Sequence, residues 1–417
     1  MLKQPACLIV DPFVSPSIFC RALLDENIAP IAILTNTWSD MAWKMERMQG
    51  SHFTKIIECY TEQQRAQLLD QLVEYEILAC LYGSDGKTVA NTDWITKHFF
   101  PQFANDDDSN IRMDKYAMHE ACKIHGIQSA QQLRIKSPHL TENEWAFVNS
   151  LLPVVVKPAE SFCSQGVSIC CTATEVQAAL IELLGTVYAS TGAVNEVIIQ
   201  EQLQGTEYFV DTVSISGHHY PCAVFRYRKI TYKNHNIARY FELVDHRSIE
   251  GRSCIEYVLK VLDAVGRDHG LAHTEVFLTP TGPCLVEVNP RVSGAFGTAN
   301  QVAKFVYGIN QVEFFAKVLK QPNLMAPAIA DEYPGCGVVI CLQNWTSRRI
   351  GALNKAALQT FASYCASLQM IPAGTLMNEP QSALDGVGFV VLYHKSAKQL
   401  DNDIEAILKL EEAGKLF

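Results

Sequence analysis

Short apolar runs at the start of the chain predict an open parallel sheet. Ala6 to Val10 and Pro30 to Leu34 are apolar segments typical of buried strands, and Ser17 to Glu26 between them has a helical period. Ile77 to Tyr82 repeats the strand pattern. Strands that alternate with helices in this way are typical of βαβ units, so the chain is predicted to open with a parallel α/β domain.

Two turns lie at the carboxyl edge of this predicted sheet, Asp11 to Ser17 and Gly83 to Lys87. In open parallel sheets, ligands bind in the crevice outside the carboxyl ends of the strands. The first turn, DPFVSPS, lacks the GxGxxG that brings the backbone close to a dinucleotide pyrophosphate. The pattern therefore predicts a ligand crevice here, and it argues against a dinucleotide site.

The rest of the chain mixes helices with antiparallel strands. Helices are predicted at Thr61 to Glu74, Tyr116 to His125, Gln301 to Leu319, Ala356 to Leu368 and Ala397 to Glu412, with two more opened by the capping pairs Thr174 with Gln177 and Ser253 with Glu256. Strands are predicted within LLPVVVKP and VSICC, and at Val197 to Gln200, Glu207 to Ile215, Tyr220 to Arg228, Gly337 to Gln343 and Phe389 to His394. A domain boundary is expected between residues 105 and 130, where the βα rhythm ends.

The stretch from Leu271 to Thr298 carries the densest set of candidate chemical groups. Two strand-like runs flank a Thr-Pro-Thr-Gly turn, so Glu275 and Glu287 would project from adjacent strands. Asn289 and Arg291 follow Glu287 at alternate positions and so share its face. Two carboxylates, an amide oxygen and a guanidinium suit Mg²⁺ and the phosphates that it bridges. Acidic residues on a hairpin are also often simply solvated, so this stretch alone leaves both interpretations open.

Composition narrows the class of protein and its partners. The 417 residues are 48% hydrophobic, and the chain is long enough for two or three domains. The 34 basic and 44 acidic residues give a net charge of -10, which argues against nucleic acid or an anionic membrane as a partner. The fourteen cysteines form no CxxC pair, and Met1 to Val10 lacks a signal-peptide pattern. We therefore expect reduced thiols in a cytoplasmic protein.

Five pieces of the sequence, taken in order, resemble the ATP-grasp superfamily. Lys115 precedes a helix within RMDKYAMHEA, Lys157 ends a strand before a loop of small residues, and Glu201 ends another strand. Glu207 follows within GTEYFVD, and EVNPRVSG closes the series. The ordered set is more specific than any single piece, and the resemblance extends over roughly residues 1 to 417.

The resemblance implies an ATP-grasp fold of mixed α/β and α+β class. It would comprise an N-terminal open parallel α/β domain at residues 1–110 and a central domain at residues 111–204 that includes the lid. A C-terminal ATP-grasp domain at residues 205–417 would carry the metal site and a terminal α/β subdomain. The two β-rich subdomains would close on ATP.

The resemblance also implies a role for each matched residue. The nucleotide would be bound by Lys115, Lys157, Ser164, Gly166, Glu201, Gln202, Leu203 and Glu207. The metal, Mg²⁺ or Mn²⁺, would be bound by Glu275, Glu287 and Asn289. Arg291 would be the catalytic group, and it would bind the substrate together with Ser293 and Gly294. The loop AESFCSQG departs from the family because it has a single glycine, so its hold on the phosphates would depend on Ser161, Ser164 and Gly166.

Within the superfamily, RMDKYAMHEA and EVNPRVSG are most similar to bacterial L-amino acid ligases of the dapdiamide synthase type, which make dipeptides for antibiotic assembly. The resemblance implies an ADP-forming ligase that joins a small carboxylic or amino acid to an amino acid through an acyl phosphate, and it suggests a homodimer. Two alternatives remain open. A carboxylating enzyme similar to biotin carboxylase is one, although the chain lacks a Met-Lys-Met carrier motif. A nucleotide-binding regulatory protein is the other, although it would not need Arg291.

Overall fold

The computed structural model describes residues 3–35, 48–105, 108–160, 165–188, 192–233, 235–321, 333–381 and 385–417. The strands are β1 Gln4–Val10, β2 Ala29–Leu34, β3 Lys55–Glu58, β4 Tyr75–Tyr82, β5 Gln132–Ile135, β6 Val154–Pro158, β7 Ser168–Cys170, β8 Val187–Tyr188, β9 Gly192–Ala193, β10 Val197–Glu201, β11 Thr206–Ile215, β12 His218–Tyr232, β13 His235–Leu243, β14 Gly270–Thr279, β15 Gly282–Asn289, β16 Cys336–Leu342, β17 Arg348–Arg349, β18 Tyr364–Gln369, β19 Leu376–Met377 and β20 Gly388–His394. The helices are α1 Pro16–Asp25, α2 Glu62–Ala66, α3 Leu68–Gln71, α4 Lys87–Phe99, α5 Lys115–Ile124, α6 Glu142–Leu151, α7 Ala173–Leu183, α8 Ile249–Ala264, α9 Thr298–Tyr307, α10 Gln311–Lys320, α11 Lys355–Leu358 and α12 Ala397–Glu412.

The chain opens with the predicted parallel sheet, whose strand order is β3-β2-β1-β4. Every residue of β2 is buried, as expected for a strand of a parallel sheet that has helices on its faces. The helix between the first two strands begins at Pro16, where the fixed φ of proline suits a first turn. The predicted βαβ opening is therefore confirmed.

The middle of the chain forms a four-stranded antiparallel sheet in the order β5-β10-β6-β7. The predicted hairpin of LLPVVVKP and VSICC is β6 and β7. Helices α6 and α7 contribute Val148 and Leu180 to the same hydrophobic core as Val156 and Ile199 of the sheet. This small sheet and its helices thus have a core of their own.

The second half of the chain builds an eight-stranded antiparallel sheet in the order β15-β14-β11-β12-β13-β16-β20-β18. The predicted strands Glu207 to Ile215 and Tyr220 to Arg228 pair as β11 and β12. The hairpin of β14 and β15 lies at one edge of this sheet, with Thr279 paired to Gly282 across its turn. The hairpin predicted from the sequence is therefore confirmed.

One hydrophobic cluster joins the parallel sheet to the large sheet. Ile9 of β1 and Leu23 of α1 pack in the same cluster as Val213, Leu271 and Phe314 of the second half of the chain. Because this core is shared, the carboxyl edge of β1 and β4 is held next to the start of the β14–β15 hairpin.

The predicted helix from Thr61 to Glu74 is wrong beyond its first turn. Thr61 and Gln64 form a capping box for α2, but the chain breaks at Gln67 and resumes as α3. The break lets Leu68 and Leu72 both enter the core behind the parallel sheet. Packing of these leucines outweighs the helical continuity that the sequence period favours.

Two further helix predictions are wrong in their extent. The segment Gln301 to Leu319 is two helices, because Gly308 ends α9 with a left-handed φ of 76° and Asn310 caps α10. The segment Ala356 to Leu368 is mostly not helical. Its second half is the edge strand β18, which pairs with β20 and so follows tertiary context rather than local propensity.

The capping pair Thr174 with Gln177 is also wrong. The cap of α7 is Thr172, whose hydroxyl accepts from the Glu175 amide while the Glu175 carboxylate accepts from the Thr172 amide at 3.0 Å. The segment contains two overlapping pairs with capping-box spacing. The pair that ends in a carboxylate is the one that forms, as expected because a charged acceptor makes the stronger hydrogen bond.

The capping pair Ser253 with Glu256 lies inside α8 rather than at its start. The helix begins one turn earlier, where the Ser248 hydroxyl accepts from the Gly251 amide at 3.0 Å. A Cβ at Gly251 would lie 2.5 Å from the carbonyl oxygen of Asp245, so this position requires glycine. The low helix propensity of that glycine concealed the first turn of the helix.

Candidate active site

The two hairpin carboxylates face each other across β14 and β15. Glu275 pairs directly with Glu287, and the register shifts immediately after Glu275. His273 Nε2 lies 3.3 Å from Glu275 Oε1, and His273 Nδ1 lies 2.9 Å from Asp211 Oδ1. Burial alone would raise the pKa of Glu275, but the hydrogen bond and charge of His273 outweigh it and lower this pKa to about 2. The hairpin therefore presents an ionised carboxylate at neutral pH.

Lys115 joins helix α5 to this hairpin. Its ammonium Nζ lies 2.8 Å from Glu287 Oε2, and the other Glu287 oxygen accepts from the Asn289 amide at 3.3 Å. Lys115 is the first residue of α5, which is capped by Asp114. The helix cap thus sets the direction in which the lysine reaches, and the structure brings together three of the residues selected from the sequence.

Lys157 approaches from the small sheet. It is 6% exposed, and its Nζ donates to Gln200 Oε1 on the neighbouring strand β10 at 3.0 Å. Burial, with the nearby charge of Lys115, lowers the pKa of Lys157 to about 8. The ligand-free protein therefore disfavours the charged form of Lys157, and an anionic ligand would stabilise that form.

Arg291 connects the hairpin to the parallel sheet. Its Nε donates to Asp85 Oδ2 at 2.7 Å, and its Nη2 donates to Asn289 Oδ1 at 3.2 Å. Asp85 lies in the turn after β4, at the carboxyl edge of the parallel sheet. Sequence reasoning selected that turn but not this residue, because a single aspartate in a loop carries no local signal.

Ser293 and Gly294 follow Arg291 along the same crevice. Ser293 is 1% exposed, its hydroxyl accepts from the Asn300 amide at 2.9 Å, and its carbonyl accepts from the Ser15 hydroxyl at 3.2 Å. Ser15 has a φ of 48°, and Phe296, just beyond Gly294, has a φ of 54°. Non-glycine residues in this region cost energy and are concentrated at functional sites. Both walls of the crevice therefore have strained backbone.

The residues selected for adenine lie where β10 leaves the small sheet. Glu201 is the last residue of β10, and its Oε1 accepts from the Gln131 amide at 3.0 Å. Gln202 and Leu203 follow it and are half-buried. The Glu201 carboxylate is thus already hydrogen-bonded by its own chain, and the Gln202 amide donates to the Pro153 carbonyl oxygen at 3.4 Å.

Glu207 is paired with a lysine that sequence reasoning missed. Lys229 Nζ lies 2.6 Å from Glu207 Oε2, and burial raises the pKa of Glu207. Lys229 lies on β12, which is longer than predicted and continues to Tyr232. The β-branched and aromatic residues Ile230, Thr231 and Tyr232 are the signal that would have found it, since they favour a strand that continues past this lysine.

The loop after β6 is only partly described. Ser164 lies outside the described residues, as do Ser161 and Cys163. Gly166 has a φ of 71°, and a Cβ there would lie 2.8 Å from the Tyr188 hydroxyl and 2.9 Å from Leu183 Cδ2. The single glycine of this loop is therefore required by both its backbone conformation and its close packing.

The oxygen donors of the hairpin fit a hard divalent cation. Glu275, Glu287 and Asn289 supply carboxylate and amide oxygens, which are the ligands that Mg²⁺ takes from proteins. Across the described ranges, no cluster of three or more His, Cys, Asp or Glu side chains has the arrangement of a metal site; the hairpin set consists of two carboxylates and one amide oxygen. In the same part of the chain, no helix is long and apolar enough to cross a membrane.

Comparison with known proteins identifies the domain to which these residues belong. Residues 150–299 match the family described as an ATP-grasp domain. Dapdiamide A synthase from Enterobacter agglomerans is 28% identical over 258 residues, which are 61% of this chain and 59% of that protein. Among solved structures, the L-amino acid ligase from Bacillus licheniformis superposes with a TM-score of 0.72 at 13% identity over 98% of both chains. An N5-carboxyaminoimidazole synthase from Aspergillus clavatus, solved in complex with ADP, superposes with a TM-score of 0.69 at 11% identity over 98% of this chain and 99% of that chain. The domain match shows an ATP-grasp domain at residues 150–299, and the superpositions show that the whole chain shares the fold of these solved proteins.

Proposed function

We propose that this protein is an ATP-dependent, ADP-forming ligase that joins a small carboxylic or amino acid to an amino acid through an acyl phosphate. The observation that carries the proposal is the 2.8 Å ion pair between Lys115 and Glu287. It brings a lysine at a helix start onto a carboxylate pair that also lies beside Arg291. Phosphoryl transfer is catalysed by positioning and by charge neutralisation, and these are the groups that such catalysis requires.

We assign the nucleotide to the side of the site formed by β6, β10 and β11. Lys115 and Lys157 would bind the phosphates, because ammonium groups suit a mobile triphosphate. The backbone of Gln202 and Leu203 would bind the adenine edge, with Glu201 beside it. Glu207 would hold the ribose hydroxyls, and Lys229 would neutralise Glu207 until the nucleotide arrives.

Glu275, Glu287 and Asn289 would hold the divalent metal, which we propose to be Mg²⁺. When bound, the metal supplies positive charge to the phosphate oxygens. Arg291 would neutralise charge on the transferring phosphoryl group. Ser293 and Gly294, which lie next to it, would line the acyl substrate.

The chemistry solves a leaving-group problem. A carboxylate does not react with an amine in water, because oxide would have to leave. The substrate carboxylate oxygen would attack the γ-phosphorus, the bond from that phosphorus to ADP would break, and an acyl phosphate would form. The amine nitrogen would then attack the acyl carbon, phosphate would leave, and the nitrogen would lose a proton. Lys157 and Asn289 are buried, which favours exclusion of the water that would hydrolyse the acyl phosphate.

The similarity to dapdiamide A synthase motivates one finer part of the proposal, which is dipeptide formation in antibiotic assembly. The cysteine pattern motivates a cytoplasmic enzyme, and the resemblance of the motifs to the superfamily motivates a homodimer. We also propose domains at residues 1–110, 111–204 and 205–417. These limits are supported by the sheets, since the parallel sheet ends at Tyr82, the small sheet lies within 132–201 and the large sheet begins at Thr206.

The test is ATP turnover across pairs of carboxylic and amino acids in the presence of Mg²⁺, with phosphate release and the amide product both measured. We expect one or more pairs to release phosphate and form an amide in equal amounts. Glu287→Gln should abolish turnover. Glu313→Gln, which changes a carboxylate on α10 that pairs with Lys304 on α9, should not. No release with any pair would refute the proposal, and turnover that requires bicarbonate instead of an amine would support a carboxylating enzyme.

A further inference from the structure

A buried network of polar side chains joins the parallel sheet to the large sheet. It consists of Tyr82, Asp93, Asn105, Arg112 and Arg267, each at most 9% exposed. The Tyr82 hydroxyl donates to Asp93 Oδ1 and accepts from the Asn105 amide at 2.9 Å. Arg112 Nη2 donates to Asp93 Oδ2 at 2.9 Å, and the Arg267 guanidinium lies 4.4 Å from the centre of the Tyr82 ring. The chemistry proposed above uses none of these five residues, which we call the buried arginine network.

Arg267 holds the backbone of the hairpin at two points. Its Nη2 donates to the carbonyl oxygens of Leu271 and Pro290, each at 2.9 Å. Leu271 lies near the start of β14, and Pro290 separates Asn289 from Arg291. Because proline has no N–H, the carbonyl oxygen is the only hydrogen-bonding group that the backbone offers at this position. Arg267 therefore donates to the one backbone group of Pro290 that can form a hydrogen bond.

Gly270 shows how closely the guanidinium approaches the chain. Its φ is 108°, and a Cβ there would lie 2.4 Å from Arg267 Nη2. A side chain at this position would displace the guanidinium from both carbonyl oxygens. Glycine at the start of β14 is thus matched to the position of Arg267.

The other end of the network lies close to Lys115. Arg112 Nη1 donates to the carbonyl oxygens of Val265 and Gly266 at 3.0 and 3.2 Å, at the end of α8. Arg112 lies three residues before Lys115 in the sequence. The same network therefore holds the chain next to the lysine and the chain next to Arg291.

The charge of the network argues for more than cohesion. Within the described residues, Arg267 donates its hydrogen bonds to carbonyl oxygens rather than to a carboxylate. Burial lowers its pKa to about 10. Replacing buried charged groups with apolar residues of similar volume is often neutral or stabilising, so a core that needed only to pack would not need this arginine.

We propose that Arg267 is a positioning residue for phosphoryl transfer, which fixes Asn289 and Arg291 through the carbonyl oxygen of Pro290. The inference rests on the proposed function, since it assigns a purpose to the orientation of these two residues. Arg267 itself does not touch the reacting groups. Displacement of reacting groups by about 1 Å can cost on the order of 10²-fold in rate, which sets the size of the expected effect.

The test compares Arg267→Lys and Arg267→Met with the wild-type protein. Lysine keeps the charge but lacks the planar fork, and methionine removes the charge and both hydrogen bonds. We expect both variants to fold, kcat to fall on the order of 10- to 10²-fold and the Mg²⁺ concentration for half-maximal activity to rise. The KM for ATP should stay near the wild-type value, because Arg112 keeps its own hydrogen bonds to Val265 and Gly266 and so holds the chain next to Lys115. Arg239→Lys is the matched control, since Arg239 is also buried but pairs with Glu411 at the C-terminal helix.

The outcomes separate this inference from the proposed function. A wild-type protein without turnover would overturn both. Normal turnover in the wild type and an unchanged kcat in folded Arg267→Met would overturn the positioning role alone. The same loss of kcat in Arg239→Lys would also overturn it, because any disturbed buried arginine would then have this effect. If Arg267→Lys does not fold, Tyr82→Phe, which removes the hydroxyl that joins the network, should produce the smaller change in the same direction.

Discussion

Two lysines of the candidate site have opposite electrostatic environments, so neutralising them should change stability in opposite directions. Lys157 is buried beside another ammonium, and its pKa is lowered from 10.5 to about 8. Lys229 is 2.6 Å from the Glu207 carboxylate, and although burial alone would lower its pKa, the charge of Glu207 raises it. Lys157→Met should therefore stabilise the ligand-free protein, and Lys229→Met should destabilise it.

The size of the effect follows from the pKa shift. The fall of the Lys157 pKa from 10.5 to about 8 corresponds to about 3 kcal/mol of unfavourable free energy for holding Lys157 charged in the folded protein. Methionine removes that cost but leaves Gln200 Oε1 without its donor, which costs about 1 to 2 kcal/mol. We expect a net gain of about 1 to 2 kcal/mol in the free energy of unfolding at pH 7.

Function should change in the other direction. A hydrogen bond from an ammonium to a charged phosphate contributes about 1.5 to 3 kcal/mol, so Lys157→Met should weaken MgATP binding by about 10- to 150-fold. A variant that is more stable and binds less tightly is the signature of a residue retained for its ligand rather than for the fold.

The stability difference between Lys157→Met and the wild type should change with pH in a direction set by the pKa of Lys157. The folded pKa of Lys157, about 8, is below the unfolded value of 10.5, so the folded state binds fewer protons between these values. The destabilisation by Lys157 is complete below pH 8 and disappears as the pH rises to about 10.5. The stability advantage of Lys157→Met should therefore be present at pH 7 and lost near pH 10.5.

Urea unfolding of the ligand-free proteins at pH 7 and at pH 10, together with calorimetric titration with MgATP at pH 7, measures both effects. A Lys157→Met protein that is less stable than the wild type at pH 7, or a stability difference that does not depend on pH, would refute the prediction. It would also fail if Lys229→Met gained stability, because the two environments would then not differ in the way that the ion pair with Glu207 requires.

Three further predictions concern protons and charge in the same site. At pH 9, MgATP binding should take up a proton, because the phosphates favour the charged form of Lys157. Calorimetry in two buffers of different ionisation enthalpy would measure the uptake. If no proton were taken up, the phosphates would have to bind away from Lys157. Burial lowers the pKa of His119 to about 3, below its ordinary 6.5, so the unfolded state binds more protons between these values and His119→Gln should lose less stability than the wild type as pH falls from 6.5. Equal acid sensitivity in urea unfolding would contradict this. Arg291→Lys should lower kcat by about 10²-fold while the protein stays folded, because an ammonium cannot donate to Asp85 and Asn289 at the same time in the geometry of the guanidinium. An unchanged kcat would show that Arg291 is not a catalytic group.

Local pattern was sufficient to predict the hairpin and its turn, but not the opposition of its two carboxylates. The register set by the pair of Thr279 and Gly282 would place Glu287 opposite Thr274, and the irregularity after Glu275 is what brings Glu287 opposite Glu275. The pairing of Glu207 with Lys229 and of Arg291 with Asp85 was not accessible in the same way. These contacts join segments whose distance in the sequence carries no period, so only the folded chain brings them together.

Helix α4 was not predicted, because polar residues occupy buried positions on it and hide the helical pattern of the sequence. Its buried face includes Thr88, Thr92, Asp93 and Thr96, so the apolar period that marks a helix is absent. Asp93 is buried because it accepts from Tyr82 and Arg112, and both partners lie on other segments. The sequence of α4 is therefore interpretable only together with the buried arginine network that occupies its inner face.

The ion pairs of the site also bear on how ATP would bind. Three basic side chains suited to phosphate each pair with a carboxylate: Lys115 with Glu287, Lys229 with Glu207 and Arg291 with Asp85. We assign two of these carboxylates to ligands, Glu287 to the metal and Glu207 to the ribose. The ligand-free site is therefore already close to neutral, and MgATP would exchange partners rather than add charge. ATP without metal would bring about four negative charges next to Glu287 and Glu207, and no metal ion would neutralise these carboxylates. Such like-charge contacts are costly in a partly buried site. Lys157, which donates to an amide instead of a carboxylate, is the group whose charge ATP would compensate outright.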